Sequence, residues 1–155
     1  MPLATRYSLL QKYYLWLLAS IIVAILFSLS GLSLAFNSAY TVQDDARQHV
    51  FWLQRLNNPN LFRGDLIADY FSSVVPAGYK CLYWLANSFG IEPFLFNKIL
   101  PTFIGVATSV YMFLVTLEIF PVPVAGFISS LLLNQNLWML DDLVSGTPRA
   151  FFYVL

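Results

Sequence analysis

Residues 13–36 run YYLWLLASIIVAILFSLSGLSLAF, 24 positions without a charged side chain. The hydrocarbon core of a bilayer is about 30 Å thick and takes roughly 20 helical residues to cross. The run therefore predicts a transmembrane helix with some tilt. Arg6 and Lys12 stand before it, as basic residues do in a signal peptide. The apolar part of a cleaved signal is only about 7–15 residues long, so this run reads as an uncleaved anchor.

Two further uncharged runs follow, 99–117 and 119–140, divided only by Glu118. Pro121 and Pro123 lack backbone donors and disfavour helix before them. They predict a helical hairpin, with Pro101 in the first turns of its own helix, where proline is tolerated. Composition agrees: 10% of the 155 residues are charged and 59% hydrophobic, with a mean hydropathy of +0.68. A soluble domain carries about a quarter charged residues. Aromatic rings crowd at the ends of the first run and between the runs, the placement that a membrane–water interface favours. Net charge is zero, which offers nothing to nucleic acid. Cys81 is the single cysteine, so neither an intramolecular disulfide nor a Cys/His zinc cluster is expected. No phosphate-binding loop, dinucleotide fingerprint, serine-hydrolase elbow or zinc-protease motif occurs.

The loop 37–98 holds five of the eight acidic and five of the eight basic residues. Val50, Leu53 and Leu56 recur at spacings of three and predict an amphipathic helix over 46–56. Asn57-Asn58-Pro59-Asn60 breaks it. A second short segment spans 61–71 and contains Gly64, Asp65 and Asp69. A third, 79–89, opens after Pro76-Ala77-Gly78 and closes at Gly90 and Pro93. These helices are expected to lie along the membrane surface, apolar faces toward lipid or the bundle. The expected fold class is all-α: a polytopic helical membrane protein forming one domain over 1–155. It would have three transmembrane helices (13–36, 99–117, 119–140) and interfacial helices in a long first external loop. Arg6 and Lys12 favour a cytoplasmic N-terminus.

Asp44 and Asp45 open the first loop helix. One reading makes them a helix cap favoured by the helix dipole. The other notes their place at the polar boundary of the bilayer, the depth of a lipid phosphate. A carboxylate there takes a proton from an incoming hydroxyl or holds a divalent cation. His49 lies four residues after Asp45, on the same helical face, as an interfacial hydrogen-bonding residue or a substrate contact. Asp65 and Asp69 are either exposed surface acids or walls of a polar substrate cavity. With three spans, Asp141, Asp142 and Arg149 fall on the same side of the membrane as Asp44 and Asp45. Arg149 is then either part of a juxtamembrane charge cluster or a bidentate partner for a phosphate.

The sequence Asp44-Asp45-Ala46-Arg47-Gln48-His49-Val50-Phe51-Trp52, just past the first span, and the sequence Gly146-Thr147-Pro148-Arg149-Ala150-Phe151 resemble those of bacterial GT-C glycosyltransferases. This family uses polyprenyl-phosphate sugars and includes protein O-mannosyltransferases and aminoarabinose transferases. The resemblance implies a bacterial inner-membrane enzyme with a cytoplasmic N-terminus and loop 37–98 outside. It implies transfer of a sugar to an extracytoplasmic acceptor, with Asp44 as general base, Asp45 as its partner or metal ligand, and Arg149 near the donor phosphate. The last residues begin a new apolar segment, so the chain is expected to be the N-terminal portion of a longer member and inactive by itself. The rival expectation is a non-catalytic membrane component, an assembly subunit or structural protein. A transporter would place ionisable groups within the spans, and the three runs have none.

Overall fold

The computed structural model describes residues 3–38, 41–139 and 143–153, with side chains from Lys12 to Phe152 within those ranges; Asp141 and Asp142 lie outside them. The described residues form helices and turns and no strand. Helix α1, Leu3–Ala35, starts well before the uncharged run and rises about 50 Å at 1.5 Å per residue. Its serines do not interrupt it, because Ser20, Ser28, Ser30 and Ser33 each donate to a carbonyl three or four residues earlier. Their hydroxyls therefore need no water.

The loop between α1 and the next long helix folds as α2 (Asp44–His49), a 3₁₀ helix (Phe51–Leu56), α3 (Leu66–Val74) and α4 (Ala77–Ser88). The single helix expected over 46–56 changes type at Val50. The Trp52 indole donates to the His49 carbonyl (2.9 Å), and the Leu53 amide takes Val50, three residues back, in its place. Helix α4 matches the expected segment, and Gly90 ends it at a φ of 80° that side chains rarely adopt.

Helix α5, Pro93–Ile119, begins six residues before the expected 99. Pro93 starts it, and Lys98, read as the loop's last residue, is on the helix. Its ammonium lies 5.2 Å from the centre of the Phe36 ring and donates to the Ser38 carbonyl. Pro101 is consequently interior and buried, not in the first turn, and leaves the Asn97 carbonyl without its helical donor. Phe120, Pro121 and Val122 turn the chain into α6, Pro123–Met139. The 12–35 part of α1 and all of α5 are long and apolar enough to cross a membrane. Only 22% of the apolar window of α1 is buried; Leu18, Leu26 and Leu34 face outward, a surface that hydrocarbon suits better than water.

Helices α1, α5 and α6 each pack against the other two. Small residues let them close: a Cβ on Gly126 of α6 would lie 2.8 Å from the Phe113 ring of α5 and 3.2 Å from the Phe113 carbonyl. Ser130 donates to the Ser109 carbonyl across the same seam at 3.0 Å. The Gly126→Ala variant is therefore expected to lose about 1–3 kcal/mol of stability through overpacking. Thermal unfolding in detergent checks this, and an unchanged midpoint would mean the seam is looser than described. Below the bundle's end, Val50, Leu53, Ala68 and Tyr83 of the loop helices join Leu100 and Ile104 of α5, and Leu143, in one buried core.

Candidate functional site

Helix α2 sorts its residues by angle. Ala46 and Val50 are buried and anchor it. Positions four apart share a face, so Asp45 and His49 look one way while Asp44 and Gln48 point to the exposed side. The cap reading of the acidic pair does not hold as stated: Gln43 occupies the cap position, and no side-chain capping bond is made. Asp44 and Asp45 sit in the first turn.

Asp45 and His49 line a cleft of about 340 Å³. Its other walls are Val74, Val75 and Pro76, where α3 passes into α4, and Thr147, Pro148 and Arg149. The structure thus brings Asp45 and His49, which follow α1, together with Arg149, which follows α6. The path explains why: α1 leads to one end of the bundle, α5 leaves it and α6 returns. His49 is held edge-on to the Phe71 ring, centroids 5.0 Å apart.

Asp44, Asp65 and Asp69 do not line this cleft. Asp65 caps α3, accepting from the amides of Ile67 (2.8 Å) and Ala68 (3.2 Å), a contact that contributes about 1 kcal/mol. Asp69 pairs with Arg55 at 2.7 Å. Arg55 also donates to the Leu61 and Phe62 carbonyls, tying down the turn at Phe62, whose φ is 57°. Both acids thus have structural partners. Among the described residues no three His, Cys, Asp or Glu side chains converge as a metal site. Asp44 and Asp45, on neighbouring positions of α2, diverge and do not present two carboxylates to one ion.

A polar cluster with no counterpart in the sequence reading fixes the Arg149 wall. Tyr79 donates to the Gly146 carbonyl (2.9 Å), and its oxygen lies 3.0 Å from the Tyr83 hydroxyl. The Asn97 amide donates to the Ser145 carbonyl (2.9 Å) and to the Tyr83 oxygen (3.0 Å). All these side chains are buried. Burial lifts both phenols above their usual range, Tyr83 to about 12, so both stay protonated at neutral pH and act as hydrogen-bonding ties. Gly146 fits because it has no Cβ: at its φ of 57°, one would lie 3.0 Å from the Asn97 amide nitrogen. The available signal was Tyr79 and Tyr83 four apart on a predicted helix.

No family model, no curated protein and no solved structure matches the chain.

Proposed function

We propose that this chain belongs to a membrane glycosyltransferase that moves a sugar from a polyprenyl-phosphate donor to an extracytoplasmic acceptor, in the manner of the GT-C enzymes it resembles. The observation that carries the reading is the cleft that holds a carboxylate, an imidazole and a guanidinium at one end of a bundle containing two apolar, membrane-length helices. In this reading α6 is a third span and the loop helices rest on the outer leaflet. The N-terminus is then cytoplasmic, and the cleft faces outward in the plasma (inner) membrane.

The chemistry needs little more. An acceptor hydroxyl attacks the anomeric carbon of the donor while the Asp45 carboxylate takes its proton. The bond from that carbon to the phosphate oxygen breaks, and its electron pair leaves with the polyprenyl phosphate. Arg149 meets the charge left on the phosphate, and His49 supplies a hydrogen bond to either partner. Asp45, rather than Asp44, is the base in this reading, because it is the carboxylate in the cleft wall. Asp44, one position round the helix, contributes negative charge at the rim.

A transfer assay tests the function. Membranes carrying the protein from its whole reading frame are given a polyprenyl-phosphate hexose labelled in the sugar. Label should pass to acceptor with release of polyprenyl phosphate, and turnover no greater than in membranes lacking the protein would refute the reading. Orientation has its own check, since Cys81 is exposed on α4. A membrane-impermeant maleimide should label it in intact cells or spheroplasts; labelling only after the membrane is opened would reverse the topology.

A further inference from the structure

Among the described residues, three buried side-chain polar atoms have no hydrogen-bond partner: Thr102 Oγ1, Asn134 Oδ1 and Trp138 Nε1. Thr102 of α5 and Trp138 of α6 line one and the same void, with Ser28 and Gly31 of α1 as its third wall and Pro101 and Val144 beside them. The void measures about 10 Å³, and a cavity that takes a single water needs roughly 10–15 Å³. A sugar, a phosphate or a lipid chain has no room there.

The hydroxyl of Thr102 is the exception on its helix. Thr108, Ser109 and Thr116 each donate to the carbonyl four residues back, the usual way to satisfy a hydroxyl on an apolar helix. Thr102 makes no such bond. The Trp138 indole, for its part, cannot turn its N–H elsewhere. A Cβ on Gly31 would stand 2.7 Å from the ring and one on Gly105 3.6 Å, so the ring sits in a slot between a glycine of α1 and a glycine of α5. Both of those helices are long and apolar enough to cross a membrane, and lipid offers an N–H no acceptor.

We propose that this void holds one ordered water, which joins the three long helices. It accepts from the Trp138 indole and from the Thr102 hydroxyl, and it donates to Ser28 Oγ, whose own proton goes to the Ile25 carbonyl at 2.7 Å. Both donors then have an acceptor, and the water makes three bonds, the usual number for a buried one. A cation does not suit the site: the indole nitrogen has no lone pair to give, and the Lys98 side chain stands in the same wall. The bridge fastens the last turn of α6, just before the segment that carries Arg149, and it is independent of what the cleft binds.

The test is NMR of the full chain in detergent micelles with ¹⁵N-labelled tryptophan. The four tryptophans give one indole signal each, and Trp138→Phe identifies the one concerned. Its proton is expected to show a cross-peak to water of opposite sign in NOESY and ROESY spectra, as a long-held water gives and chemical exchange does not. Thr102→Val keeps the void and leaves the water two partners, so the cross-peak should persist. Thr102→Ile adds a methyl that fills the void, and the cross-peak should vanish. No cross-peak in the unaltered protein, or one of equal sign in both spectra, would overturn the proposal. So would its loss in Thr102→Val, which would trace the signal to the threonine hydroxyl proton, or its survival in Thr102→Ile. If Thr102→Ile does not fold, the unaltered protein and Thr102→Val decide the matter.

Discussion

Replacing Asp45 with Asn is expected to lower transfer from a polyprenyl-phosphate sugar by about 10²–10⁴-fold, the usual contribution of a positioned general base. The amide keeps the size of the side chain, and α2 is held by the buried Ala46 and Val50 rather than by the carboxylate, so the cleft should keep its form. The loss should fall on turnover more than on donor binding, because the carboxylate acts on the acceptor proton. Asp44→Asn is the matched comparison: same chemistry, neighbouring position, exposed face. Its effect should stay within about tenfold, reflecting weakened negative charge alone. Equal losses in the two variants would mean that the pair acts as a unit. Full activity in Asp45→Asn would take this residue out of the mechanism.

The second large effect is expected at Asn97, which does not line the cleft beside Asp45 and His49 but holds the turn that carries Arg149. Asn97→Ala removes the donor to the Ser145 carbonyl and to the Tyr83 oxygen. Each buried acceptor left unmatched costs about 1–3 kcal/mol, and a small cavity adds to it. A loss of about 2–4 kcal/mol is expected on these grounds, read as a lower unfolding midpoint in detergent. Loosening the turn should also weaken binding of a polyprenyl phosphate, which separates this role from packing alone. Asn136→Ala, at an exposed position on α6, should be within about 0.5 kcal/mol of neutral. If both variants melt alike, the tie through Asn97 does not hold the turn.

The long helices were legible because an unbroken run of apolar residues is a signal that needs no partner: α1, α5 and α6 stand where the three runs were. Their edges were less so. Counting uncharged residues placed the second run at 99, yet the helix starts at Pro93, since Lys98 stays helical and sends its ammonium to the Phe36 ring and the Ser38 carbonyl. A long side chain with a mobile charged end lets a helix extend past its apolar run. The break at Val50 was hidden for a different reason: spacing at three fits α and 3₁₀ helix equally, and the Trp52 indole decided between them.

The acidic pair shows the same division. Sequence by itself determined that Asp45 and His49 share a face, because four residues make little more than one helical turn, and that an acidic pair follows directly on the first apolar run. It also determined, through the order of apolar runs, that the segment with Arg149 returns to the end of the bundle that α2 occupies. Only the tertiary structure decided which of two adjacent aspartates lines a cleft, since that depends on burial of Ala46 and Val50 against the rest of the core. Only it drew Asp65 and Asp69 away to a helix cap and an ion pair with Arg55. And only it assembled Tyr79, Tyr83, Asn97 and Gly146 into the clamp behind Arg149. Local spacing reports the direction of a side chain from its own helix; what waits in that direction is supplied by distant segments, whose packing no local pattern records.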